Sequence, residues 1–190
     1  MSLVRIQHHR TPPPGVTQSS IDRGIGANNS DKGISLCTAS EEGYIETVRS
    51  LLDSGTDVNE RDDIHRTPLF HASRKGRVEV AKLLIEYGAD VNSQDGAGWA
   101  PLHAASRHGH LDVLRLLLDH GADVDAGRHD QWTALHIASQ PGHFEVIEAL
   151  LKLANVGVRN DEGRTPSQVA SRSGKRNIVR LLSEYEIHGV

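Results

Sequence analysis

Ala100-Pro101-Leu102-His103-Ala104-Ala105 decides the fold, because near-copies of it stand 33 residues away on either side. Upstream is Thr67-Pro68-Leu69-Phe70-His71-Ala72, and downstream is Thr133-Ala134-Leu135-His136-Ile137-Ala138. Another copy, Thr165-Pro166-Ser167-Gln168-Val169-Ala170, follows after 32 residues, and Ile34-Ser35-Leu36-Cys37-Thr38-Ala39 fits the same register at the front. A fixed period of this length marks a stack of small units, none of which buries its apolar face alone.

The units continue alike beyond the motif. A column of small residues, Ser40, Ser73, Ser106, Ser139 and Ser171, precedes a column of glycines, Gly43, Gly76, Gly109, Gly142 and Gly174. A glycine at one fixed place suits a tight turn between two helices, where the backbone goes left-handed. Apolar residues at helical spacing follow: Val78, Ala81, Leu84 and Ile85 in the second unit, Leu111, Leu114, Leu117 and Leu118 in the third. Gly55-Thr56-Asp57-Val58-Asn59, Gly88-Ala89-Asp90-Val91-Asn92 and Gly121-Ala122-Asp123-Val124-Asp125 then close the second helix and release the chain into an extended turn. Each unit therefore reads as helix, turn, helix and projecting hairpin loop, in an all-α chain. Five units fit, over 34–66, 67–99, 100–132, 133–164 and 165–190.

Most of the recurring residues are packing devices. Ala39, Ala72, Ala105, Ala138 and Ala170 let the first helices approach closely. Leu51, Leu84, Leu117, Leu150 and Leu182 are expected to fill the space between layers, and burying each contributes roughly 1.5–3 kcal/mol. The fourth unit departs from the pattern. Leu153 is followed by Ala154-Asn155-Val156 with no capping glycine, and Gly157 replaces the usual Asn, so this unit is expected to be a weak joint.

The degenerate T-P-L-H-x-A motif, its period and the Gly-Ala-Asp-Val-Asn segment together resemble the ankyrin-repeat family over residues 34–190. The resemblance implies an ankyrin solenoid whose hairpin tips and first helices line a concave groove where partners bind. It implies a non-catalytic interaction module, an adaptor, inhibitor or targeting subunit, and motif histidines that bond neighbouring loop backbone.

The residues that populate such a groove can be read off by column. Arg66, Trp99, Trp132 and Arg164 stand just before the motif copies. Just before the turn glycines stand Arg74 and Lys75, Arg107 and His108, and Arg172, with Gln140 and Pro141 in the fourth unit and Glu41 and Glu42 in the first. The tips add His129 and Asp130, along with Asp63, Ile64, Ala97 and Glu162. Trp and Arg are the residue types enriched in binding hot spots, and Arg grips carboxylate or phosphate through paired hydrogen bonds. The expected ligand is an acidic or phosphorylated segment of another protein.

Two other readings compete. One is a regulatory or spacer solenoid, related to larger multidomain ankyrin proteins, with no ligand of its own. The other is a metal-binding enzyme built on the twelve histidines. Zinc prefers three or four ligands converging tetrahedrally, and the repeat register already accounts for His103, His136, His110 and His143. No phosphate-cradling G-x-x-x-x-G-K-[ST] and no G-x-S-x-G appears. No cofactor, metal or catalytic residue is expected.

The net charge of −4 is uneven. The first unit holds three basic residues against eight acidic ones, and the last holds four against two. No basic stripe with interleaved aromatics points to nucleic acid, and no apolar run points to a membrane. Cys37 is the only cysteine, which excludes a disulfide within the chain and suits a reducing compartment, the cytoplasm or nucleus. It is expected to serve as a small buried hydrophobe. Residues 1–33, rich in Pro, Gly, Ser and Asn, are expected to be a disordered tail, and the protein to be a monomer.

Overall fold

The structure is a computed structural model that describes residues 33–188. The expected tail lies outside the described residues, Gly33 excepted. The described residues form ten helices and no strand: α1 (Leu36–Glu42), α2 (Ile45–Asp53), α3 (Pro68–Lys75), α4 (Val78–Glu86), α5 (Pro101–His108), α6 (Leu111–Asp119), α7 (Ala134–Ser139), α8 (Phe144–Leu151), α9 (Pro166–Arg172) and α10 (Arg176–His188). Odd and even helices pair in antiparallel fashion within a unit. The inner helices α1, α3, α5, α7 and α9 pack in sequence, and so do the outer helices α2, α4, α6 and α8.

Local chemistry sets where the inner helices begin and end. Ser35, Thr67 and Thr165 accept backbone N–H groups three residues on, at 3.1, 3.3 and 3.4 Å. Pro68, Pro101 and Pro166 open their helices, where a missing N–H costs nothing. Gly76 and Gly109 end α3 and α5 with φ of 68° and 75°. They are needed for space as well as for φ. A Cβ on Gly76 would stand 2.6 Å from the ring of His110, and one on Gly109 2.8 Å from that of His143. Those rings reach back one unit: His110 Nε2 donates to the Arg74 carbonyl at 3.1 Å and His143 Nε2 to the Arg107 carbonyl at 3.0 Å.

The core follows the columns, with differences at the ends. All five alanines are fully buried, as are Leu84, Leu117 and Leu150, and Leu182 nearly so. Leu51 is only half-buried, and Leu52 is the buried leucine of α2. No described outer helix precedes α2, so the side of Leu51 that a neighbour would cover is open. Ser171 is exposed where Ser40, Ser73, Ser106 and Ser139 are buried, because no described inner helix follows α9. Cys37 is buried, as expected; burial, then the carboxylates of Glu60 and Asp62, push its thiol up to about 12.

The hairpin loops are tied by a ladder. Asn59 Oδ1 accepts the Asp90 N–H at 2.8 Å, and its amide donates to the Gly88 carbonyl. Asn92 repeats both bonds with Asp123 and Gly121. At the next step Asp125 accepts the Asn155 N–H at 3.0 Å but, as a carboxylate, has no proton to donate. The fourth unit also closes without a left-handed residue. Leu153 and Ala154 both send their N–H groups to the Leu150 carbonyl, at 2.9 and 2.8 Å. Deletion of the glycine therefore removes the left-handed turn itself and leaves no strained residue behind. Leu153 is left 61% exposed.

Candidate partner-binding face

Each hairpin tip is a five-residue loop closed by one backbone bond. The N–H groups of Asp62, Asp95, Arg128 and Asn160 donate to the carbonyls of Arg66, Trp99, Trp132 and Arg164, at 2.9–3.1 Å. Asp62, Asp95 and Asn160 stiffen their loops by accepting two further N–H groups each. The third loop has Arg128 at that place and borrows Asp130, which accepts the Trp132 N–H at 3.4 Å and pairs with Arg128 at 2.7 Å. Neighbouring tips touch through Gly96 N–H to Ile64 O, His129 N–H to Ala97 O and Asp161 N–H to Asp130 O. His129 contributes its backbone to this contact while its side chain is exposed.

Motif histidines clamp the loops to the helices. His103 Nδ1 accepts the Ala100 N–H at 3.0 Å, so its Nε2 carries the proton given to the Ala126 carbonyl at 2.8 Å. His136 does the same between Thr133 and the Arg164 carbonyl, the latter at 2.9 Å. Burial lowers the pKa of both rings and holds them neutral. Both nitrogens of each ring are thus occupied by the fold. Among the described residues, no group of three or more His, Cys, Asp or Glu side chains is placed to hold a metal ion.

The groove columns split into two kinds. Arg66 is bound to Asp95 at 3.1 Å and lies over the Phe70 ring, 4.9 Å from its centre. Glu41 takes Arg74 at 2.7 Å and Lys75 at 3.3 Å. The same carboxylate stands 3.3 Å from His71 Nδ1, whose Nε2 is 2.8 Å from Asp62. Burial alone would raise both carboxyl pKa values. The Glu41 value is held below the ordinary one by Arg74, Lys75 and His71, and the Asp62 value by the Arg66 and Ile64 N–H groups and His71. Arg164 pairs with Glu162. Four of the expected ligand-binding cations are therefore occupied by neighbours.

Arg107 and His108 differ. Both are exposed, and among the described residues no carboxylate comes within ion-pair reach of either. Arg107 lies 5.8 Å from the centre of the Trp99 ring, and His108 stacks on His110 at 6.1 Å. Arg172, on α9, is likewise exposed and forms no ion pair among the described residues. The two tryptophans, both half-buried, also differ. Trp99 is covered by the Arg128 guanidinium at 4.2 Å and meets His103 edge-on. Trp132 leans on His136 at 6.0 Å, and among the described residues no cation covers it.

Two hollows open on this face. One, of about 300 Å³, is lined by Arg66, Phe70, Arg74, Trp99, Arg107 and His108, with Ala104 at its floor. The next, of about 410 Å³, lies between Arg107, His108, Gln140 and Pro141. A third hollow of about 420 Å³ lies on the outer helices, but its rim mixes Arg115 and Lys152 with Asp119, Glu145 and Glu148 and carries no single charge. Phe70, Arg128 and the joining of Glu41 to His71 and Asp62 are the parts of this region that the sequence columns do not single out. Arg128 was visible as the one basic residue in a column of Asp62, Asp95 and Asn160.

Comparison with known proteins agrees with the geometry. A family model described as ankyrin repeats (3 copies) matches residues 36–128 and again 124–189. No curated protein matches the chain. Ankyrin repeats are in general protein–protein interaction modules, typically without catalysis, and no described helix is long and apolar enough to cross a membrane. With its period, its ten paired helices and its clamped hairpin loops, the chain belongs to the ankyrin-repeat family.

Proposed function

We propose that residues 34–190 form an interaction domain that holds an acidic or phosphorylated segment of a partner protein in the groove, and that residues 1–33 are a tail outside it. The domain acts as an adaptor, inhibitor or targeting subunit, and as a monomer. Its single, buried cysteine suits a reducing compartment, the cytoplasm or nucleus.

One observation carries this reading. Arg107 and His108 are exposed beside Trp99, with no carboxylate among the described residues to neutralise them, on a face where Arg66, Arg74, Lys75 and Arg164 all have one. A ligand-free spacer gains nothing from unpaired positive charge next to an aromatic ring. A partner that brings an anion and an apolar group gains both contacts.

The test is affinity capture from native lysate with the wild type, the Trp99→Ala/Trp132→Ala double variant and Glu86→Ala, a change on exposed α4 surface. A protein held by the wild type and Glu86→Ala but released by the double variant supports the groove, provided its binding also weakens with salt. Retention by all three assigns the partner to another face.

A further inference from the structure

We propose that the hollow between α3 and α5 takes an aryl phosphate, in the natural ligand the phosphotyrosine side chain of a partner segment. The ring lies against Trp99, and the phosphate is held by Arg107 and His108. This rests on the reading of the groove as the partner face and specifies its chemistry.

The walls define the ligand. The half-buried Trp99 ring lines a hollow of about 300 Å³, which suits an aromatic side chain, while Phe70 lies buried beneath the Arg66 guanidinium. Arg66 and Arg74 line it too, but each is tied by a carboxylate, Asp95 and Glu41. The cations left for a ligand are Arg107 and His108. These two residues also line the adjoining hollow with Gln140 and Pro141, so they form a ridge open from both sides. A group seated on that ridge meets both.

The field there asks for a strong anion. Burial, and then His110, Arg107, Arg74 and His143, push His108 toward its neutral form. All of these neighbours are positive or can become so, and none is a carboxylate. A phosphate monoester brings up to two negative charges and three acceptor oxygens, enough to span a guanidinium and an imidazole. A carboxylate brings one charge and two oxygens. The aromatic wall of Trp99 favours an aryl ester over an alkyl one.

Heteronuclear NMR on the full chain tests this with small probes: phenyl phosphate, inorganic phosphate and benzoate at constant ionic strength. Saturable shifts of the Trp99 indole and His108 ring signals by phenyl phosphate are expected, at concentrations about tenfold below those needed for the other two probes. Arg107→Gln and His108→Asn should each weaken phenyl phosphate by roughly tenfold, while Arg115→Gln, on the exposed surface of the outer helix α6, leaves it unchanged. Both changes are at exposed positions, and unchanged urea unfolding shows that the fold is intact. Phenyl phosphate binding no tighter than inorganic phosphate, or indifferent to both variants, overturns the proposal. If that happens while a captured partner still depends on Trp99 and Trp132, the groove stands and only its ligand chemistry falls.

Discussion

Arg74 and Arg107 hold the same place in successive units, two residues before a turn glycine, and they have opposite surroundings. The column they belong to runs Glu41, Arg74, Arg107, Gln140, Arg172. Arg74 has Glu41 one step behind it and closes on it at 2.7 Å. Arg107 has Arg74 behind and Gln140 ahead, so its column offers it no carboxylate among the described residues. The tryptophans divide by a similar rule. The first position of one tip meets the last position of the tip before it, which sets Asp95 on Arg66 and Arg128 on Trp99. The same step from Trp132 reaches neutral Asn160. In a stack, a residue's role is set by what occupies its own column in the neighbouring unit. The front of the face is closed by its own charges, and the middle is left open.

The largest effect that can break this contrast is on Trp132. Trp132→Ala should weaken the captured partner by about 2 kcal/mol, roughly thirtyfold, with little change in stability. Trp99→Ala should weaken it too but also lower the urea midpoint, since Arg128 and His103 lose their contact. Isothermal titration beside urea unfolding separates the two. Equal stability losses would place both tryptophans in the fold.

Glu41→Gln sharpens the contrast from the other side. It leaves Arg74 and Lys75 without their carboxylate and should cost roughly 1–2 kcal/mol. The pH dependence identifies the cause. His103 and His136 have lowered folded pKa values, so their contribution is complete above the ordinary 6.5 and is lost as pH falls through the folded values. Glu41 and Asp62 are also lowered, from 4.5 and 3.8, so their contribution is complete above those values and is lost below them. Urea midpoints between pH 7 and pH 3 should therefore fall in two stages. Glu41→Gln should flatten only the second; an unchanged second stage means that Glu41 holds nothing.

The smallest expected effect is at the fourth loop. Asp125 makes one ladder bond where Asn59 and Asn92 make two, and Leu153 is exposed. Amides over 152–160 should exchange faster than those over 119–127 by about tenfold, the equivalent of one ordinary hydrogen bond. Equal protection would show that the tightened turn compensates.

The fold was legible because period, glycine column and helical spacing all repeat, and each repeat is a separate vote for the same unit. The site was legible only by column. Trp99, Trp132, Arg107 and His108 stand out in the sequence as groove residues, yet nothing within one unit tells Arg107 from Arg74. That distinction comes from reach across the stack, where Glu41 supports Arg74, Lys75 and His71 at once. Leu51 was read as buried from its register, but register is silent about a missing neighbour. The glycine absent from the fourth unit reads in the sequence as a weak joint, since no other residue there suits a left-handed cap. The chain avoids the strain by ending α8 earlier, a choice open to a backbone and invisible in a column of letters.

The most direct test sets Arg107→Gln against Arg74→Gln, measuring the affinity of the captured partner across a salt series. Arg107→Gln should lose about tenfold in affinity and flatten the salt dependence, while Arg74→Gln keeps both close to wild type. If Arg74→Gln loses as much as Arg107→Gln, the front of the face also holds the partner, and the division between a closed front and an open middle is wrong.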